Sequence, residues 1–365
     1  MGIDGTALLR PEERRGRGAV SNAASARFDA LGRLRFDDGW NSLDGDASPT
    51  RTRVDIDTSR TILARNQSPD IPFDRSINPY RGCEHGCVYC FARPSHAYLG
   101  LSPGLDFESR LFAKPDAARL LKREITAPGY VMRPIALGTN TDPYQPVEKR
   151  LRITRQILEV LVAAGHPFAI VTKSHLVTRD LDLLKPAAAR GLARVFLSVT
   201  TLNHGLARAL EPRAATPARR LQAVAALARD GVPTGVMVAP VIPALNDHEI
   251  EWIIAAAADA GAVSADYILL RLPHEVRALF QQWLRVHAPD RANKVLKLLA
   301  DMRGGKLNDP RFGHRMRGQG AYADLLGRRF KLACRRHGLD RAGPPARANA
   351  APARTSDQDR QLSLF

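Results

Sequence analysis

The chain has 365 residues, 44% of them hydrophobic, enough for a sizeable core and most simply one large domain with tails. No run of about 18 apolar residues occurs, which argues against a membrane-spanning helix, and four cysteines, three of them clustered, make no disulfide framework. With 54 Lys and Arg against 37 Asp and Glu, the net charge of +17 favours an anionic partner, nucleic acid first, although an arginine-rich composition from a GC-rich genome gives the same number.

Residues 1–65 are polar, arginine-rich and weakly periodic, and read as a flexible basic N-terminal extension, disordered or draped on the core. The first ten residues lack a basic stretch ahead of a long apolar one, so no secretory leader is expected. Together with the clustered thiols this points to a reducing, cytoplasmic setting. A strand over Ile77–Tyr80 leads into Arg81-Gly-Cys-Glu-His-Gly-Cys-Val-Tyr-Cys-Phe91. The C-x3-C-x2-C spacing lets Cys83, Cys87 and Cys90 close on one metal centre. A four-iron cluster needs four ligands, so three leave a position free. A zinc site or structural cluster completed by His85 or Cys334 is the competing reading.

Pro115 opens a helix to about Ile125. Strands and helices then alternate: Ile135–Thr139 and Val147–Ala164, Phe168–Thr172 and Asp180–Arg190, Val195–Thr200 and Pro217–Arg229, Thr234–Ile242 and Asp247–Ala260, with Tyr267–Leu270 as a sixth strand. Gly165, Gly191, Gly231 and Gly261 stop the helices. This alternation argues for a parallel sheet over 66–270, and six units fit a partial barrel whose site gathers at the carboxyl ends of the strands. Those ends carry Thr139, Asn140, Thr141 and Asp142, then Lys173, then Ser198, then Ala239, with Arg213 in a turn after the fourth strand. An Asx/Pro turn is the plainer reading of the first group, and a solvated lysine of the second.

Three more helices, Glu275–Val286, Arg291–Met302 and Ala321–His337, make a helical basic extension over 271–342. Within it, Arg311 to Arg341 holds nine Lys or Arg against Asp324 and Asp340, a stretch suited to phosphates. Residues 343–365 form a Pro/Ala-rich linker that ends on an apolar pentapeptide.

C-x3-C-x-aromatic-C, with Tyr89 as the aromatic, resembles the cluster loop of radical S-adenosylmethionine (SAM) enzymes. The resemblance implies an α/β fold, a partial (βα)6 TIM-like barrel of the radical SAM type. It implies a 4Fe–4S cluster on Cys83, Cys87 and Cys90, SAM on the open iron, reductive cleavage to a 5′-deoxyadenosyl radical, and an electron donor of flavodoxin or ferredoxin type. By the same resemblance Thr139, Thr141, Lys173, Ser198 and Ala239 line SAM, Lys173 or Arg213 pairs with its carboxylate, and Tyr89 shields the cluster or approaches adenine. The Gly-Gly-Glu motif that many superfamily members carry after the second strand is missing.

Asn78-Pro-Tyr-Arg-Gly-Cys-Glu-His-Gly-Cys-Val-Tyr-Cys90, Thr141-Asp-Pro-Tyr-Gln-Pro146 and Arg303-Gly-Gly-Lys-Leu-Asn308 resemble bacterial proteins of the spore photoproduct lyase-like branch, over about residues 70–340. That branch's lyase has a hydrogen-donating cysteine where Thr139 stands, so reversal of a thymine photoproduct is not expected. Tyr98, Tyr144 and Cys334 remain as radical relays, Cys334 having the plainer reading of a buried core residue. The terminal Gln361, Leu362, Leu364 and Phe365 resemble the bacterial sliding-clamp-binding motif, an apolar plug on a tether. The whole implies a radical SAM enzyme acting on nucleic acid, in a repair-like role. A radical SAM enzyme for RNA, protein or a small molecule is one alternative. A noncatalytic, metal-stabilised nucleic-acid-binding protein is the other.

Overall fold

A computed structural model describes residues 8–28 and 50–340 of the chain. The terminal Gln361, Leu362, Leu364 and Phe365 lie outside the described residues.

Strands β1 (Arg53–Ile56), β2 (Leu63–Arg65), β3 (Arg75–Ile77), β4 (Tyr80–Arg81) and β5 (Arg110–Ala113) come first. β6 (Ile135–Leu137), β7 (Phe168–Thr172), β8 (Ala193–Ser198), β9 (Thr234–Val241) and β10 (Ser264–Leu269) follow. They make two sheets. The large one runs β10-β9-β8-β7-β6-β3-β2, with six strands parallel and β2 antiparallel to β3 at one edge. These six parallel strands are the expected βα units, and β10 and β2 remain its two edges. The small sheet, β1-β5-β4, delivers β4 straight into the cysteine loop.

The longer helices are α1 (Ala117–Ile125), α2 (Ile153–Ala163), α3 (Leu181–Ala189), α4 (Pro217–Arg229) and α5 (Ile250–Asp259), then α6 (Val276–His287), α7 (Pro289–Asp301) and α8 (Ala321–Arg336). Each of α2 to α5 connects one parallel strand to the next. Their apolar stripes, such as Ile153, Ile157, Leu158 and Leu161 on α2, cover the sheet's outer face. Val195, Leu197, Val236 and Leu269 are fully buried within the sheet, as parallel strands require. The long helical pattern expected over Val147–Ala164 breaks in two at Arg152, whose φ is +53°. α8 packs on α5, with Arg329 bridging both oxygens of Glu251 at 2.8 and 2.7 Å. Among the described residues no helix is long and apolar enough to cross a membrane.

Residues 8–28 form a strap behind the cysteine loop. The amides of Gly18 and Ala19 donate to the two oxygens of Glu108 at 2.9 and 2.8 Å, and Arg17 donates to the Glu108 carbonyl at 2.7 Å. Ser21 donates to Gln282 at 2.6 Å. Gly18 sits so close to the loop that a Cβ there would lie 1.8 Å from the Gly86 carbonyl oxygen. Gly18→Ala should therefore lift the strap. Limited proteolysis should cut residues 8–28 faster than in wild type, and an unchanged cleavage rate would contradict this packing.

Candidate active site

The cysteine loop is pinned by buried polar groups that sequence reasoning passed over. Arg93 is fully buried and donates to the carbonyls of Cys87 (2.8 Å), Pro103 (3.0 Å) and Gly104 (2.8 Å) while pairing with the Glu108 carboxylate. Its five donors suit this role in a way a lysine's would not. Gln145 holds the other side. It accepts from the Glu84 amide at 2.9 Å and donates to the Gly82 carbonyl at 3.2 Å. Val88 donates its amide to Leu210 at 3.0 Å, tying the loop to the segment after β8.

The loop caps a cavity of about 200 Å³ at the carboxyl ends of the parallel strands. Cys83, Cys87, Cys90 and Tyr89 line it from the loop. Thr139 and Thr141 line it after β6, Lys173 after β7, Ser198 at the end of β8 and Ala239 within β9. Gly138, φ +88°, makes the turn out of β6. A Cβ there would meet the Val171 carbonyl oxygen at 2.0 Å, so the chain can pass β7 this closely only without a side chain. Apolar Met237, Pro240 and Leu270 complete the floor.

Two acids organise the polar groups around the cavity: Asp142, partly buried on its wall, and Glu211, buried behind it. Asp142 accepts from the Thr172 hydroxyl at 2.6 Å and the Lys173 amide at 2.8 Å, and lies 3.3 Å from His85 Nδ1. Burial opposes its charge, but His85, the Thr172 hydroxyl and the Lys173 amide outweigh it and bring the carboxyl down to about 2. Glu211 is the second. It pairs with Arg220 at 2.5 Å, accepts from the Tyr89 hydroxyl and lies 3.9 Å from Cys87 Sγ. Burial works against the charged carboxylate here too, yet Arg220 and then Lys173 hold it below its ordinary range. Arg220 also donates to the Ser198 carbonyl at 2.9 Å, so one ion pair braces the cysteine loop and the end of β8 together.

The donor set fits a cluster bound at three corners. Among the described residues no three His, Cys, Asp or Glu side chains converge as a single metal ion would need. The three thiols ring the cavity wall instead. Burial pushes each of them up, with Asp142 adding at Cys83 and Glu211 at Cys87. A metal centre reverses that preference, because ligating sulfur is thiolate and the metal's charge stabilises it. Cys334, buried on α8, does not line the cavity and brings no fourth sulfur to it. The ammonium of Lys173 stands 5.8 Å from the Tyr89 ring centre, a cation inside the cavity for a carboxylate ligand.

Three of the expected site residues stand apart. Arg213 pairs with Glu84 at 3.0 Å and contacts Thr52 at 3.3 Å, outside the cavity wall. Tyr144 is fully buried and donates to Asp180 at 3.0 Å. Tyr98 is 71% exposed and packs on Phe28 at 5.0 Å. The Thr141 hydroxyl donates back to the Tyr80 carbonyl at 3.0 Å, so its edge on the cavity is already bonded.

A family model described as the radical SAM superfamily matches residues 77–257. Over 240 residues the chain is 37% identical to an uncharacterized protein of Mycobacterium tuberculosis, an overlap of 64% of this chain and 71% of that one. It is 27% identical over 173 residues to the radical SAM Nα-GlyT isomerase of Pseudomonas phage M6, covering 47% of this chain and 34% of the isomerase. Spore photoproduct lyase, solved with bound AdoMet and dinucleoside spore photoproduct, superposes with a TM-score of 0.54 at 17% identity over 78% of each chain.

Proposed function

Because the chain belongs to the radical SAM superfamily, whose members use a 4Fe–4S cluster, SAM and an external reductant, we propose that it is a radical SAM enzyme acting on nucleic acid in a repair-like role. Cys83, Cys87 and Cys90 would hold the cluster, which when bound supplies the electron that cleaves SAM to a 5′-deoxyadenosyl radical. Lys173 takes the SAM carboxylate, with Ser198 and Thr139 as polar neighbours and Ala239 against adenine. Tyr89, held by Glu211, packs beside the loop and excludes water from the thiols. The electron comes from a flavodoxin- or ferredoxin-type donor, in the cytoplasm.

The observation that carries this reading is the convergence of the cysteine loop with the ends of four successive parallel strands on one cavity. The net charge of +17 supports an anionic polymer as substrate. So do the neighbours' names, since the lyase structure holds a dinucleoside lesion. A base inside a duplex is reached only once flipped or unpaired.

Anaerobic reconstitution, dithionite reduction and SAM should yield 5′-deoxyadenosine, and more of it with the right DNA. A zinc-filled protein, or a cluster that leaves SAM intact, would mean a noncatalytic binding protein instead. Delivery to DNA by the sliding clamp rests on Gln361, Leu362, Leu364 and Phe365. Deleting residues 361–365 should abolish clamp capture on a sensor surface while SAM cleavage persists. Undiminished capture would remove that link.

A further inference from the structure

The two edges of the large sheet, β10 and β2, have no backbone pairing with each other. Side chains join the segment after β10 to the end of the cysteine loop, and the segment after β2 to residues 313–315. Arg271, just past β10, lays its guanidinium 5.3 Å over the ring of Phe91, which follows the cysteine loop. Asp70, just past β2, accepts from the Gly313 amide at 2.7 Å and from Arg315. Both Arg271 and Phe91 line the cavity.

Arg271 is the least satisfied member of this set: Arg303 also has an unpartnered Nε, but both of its Nη atoms are bonded. Arg315 has Asp70 and Ser68, and Arg303 spends its Nη atoms on the carbonyls of Leu270, His314 and Arg315. Among the described residues Arg271 has no carboxylate partner within ion-pair distance. Its Nε is buried without a hydrogen-bond partner, and Nη1 contacts the Met316 sulfur at 3.8 Å. Burial first, then Arg315 and Arg303, pushes it down to about 10, so it stays cationic at neutral pH. A desolvated guanidinium with open donors is costly unless an anion completes it.

Its surroundings point to which anion. Phe91 is 48% exposed, and Phe312, 4.6 Å beneath Arg315, is 55% exposed. Guanidinium alternating with exposed ring is how proteins hold unpaired nucleotides, the cation on phosphate and the ring on the base face. The SAM carboxylate is assigned above to Lys173, just past β7, which is three strands from β10 and so about 14 Å along the sheet.

Resting on the nucleic-acid reading above, we propose that Arg271 and Phe91 form the entry subsite for an unpaired nucleotide. Arg271 takes a phosphodiester oxygen, and the exposed side of Phe91 stacks on the base.

The test uses full-length, anaerobically reconstituted protein, a short labelled DNA single strand read by fluorescence anisotropy over a salt series, and calorimetry with SAM. Arg271→Gln should weaken strand binding about tenfold and lower the salt slope by about one. Arg271→Lys should retain most of the slope. Phe91→Leu should weaken strand binding about tenfold with the slope unchanged. It also carries the test if Arg271→Gln does not fold, with iron content confirming that the neighbouring loop is loaded. Strand binding equal to wild type in both variants would overturn the subsite. Lost SAM affinity in Arg271→Gln with strand binding intact would reassign Arg271 to the SAM carboxylate. A wild type that cleaves SAM yet binds no strand would fail the nucleic-acid reading itself, and the subsite with it.

Discussion

Cys87→Ala protein is expected to fold and to release no detectable 5′-deoxyadenosine on reduction with SAM. Little of the loop's shape depends on the sulfur. The Cys87 carbonyl is held by Arg93 at 2.8 Å, and the next amide, Val88, is held by Leu210 at 3.0 Å. Loss of one buried sulfur should cost about 1 kcal/mol. Two thiols cannot hold three corners of a cluster, so iron and sulfide content should fall together with activity. Circular dichroism, iron analysis and chromatographic assay of the nucleoside check the three parts separately. A variant that still cleaves SAM would dismiss Cys87 as a ligand and reopen His85 for that place.

Glu211→Gln should destabilise the protein by about 3–5 kcal/mol, because it strands the charge of Arg220 in the interior. Arg220 is 1% exposed and Glu211 2% exposed, so water cannot take the carboxylate's place. The same change loosens Tyr89, whose hydroxyl lies between Glu211 and Thr200. Urea denaturation should show the loss in the midpoint with little change in slope. Adding Arg220→Met to Glu211→Gln should recover part of it, since the pair is then removed as a whole. Equal stability of Glu211→Gln and wild type would mean that the pair braces nothing.

The cysteine spacing and the ends of the parallel strands were legible because both are local signals. Three cysteines within eight residues fix one loop, and apolar runs between Gly stops mark each βα unit. What the sequence concealed is non-local. In Glu211-Pro-Arg213 both charged residues look alike, and Arg213 is the familiar partner for a carboxylate. Only the turn after β8 decides that Glu211 faces inward to Arg220 while Arg213 faces Glu84. Tyr98 and Tyr144 gave no cue to depth, and the structure puts one in solvent and the other against Asp180. Arg17 to Val20 has no periodicity, so the sequence alone points to a flexible or draped strap. Its order comes from Glu108, some ninety residues away, which accepts its amides. Pairings across that span leave no trace in local composition.

The side-chain contacts at the two edges of the large sheet have a mechanical consequence. A strand ladder opens as a cooperative unit, since each hydrogen bond aligns the next. Arg271 on Phe91 and Arg315 on Asp70 are separate latches, and either can release while the other holds. Neither contact belongs to a strand ladder, so losing one of them breaks no pairing in the large sheet. The Arg315–Asp70 contact is an ion pair with both side chains largely buried, so added salt should weaken it far less than it would an exposed pair.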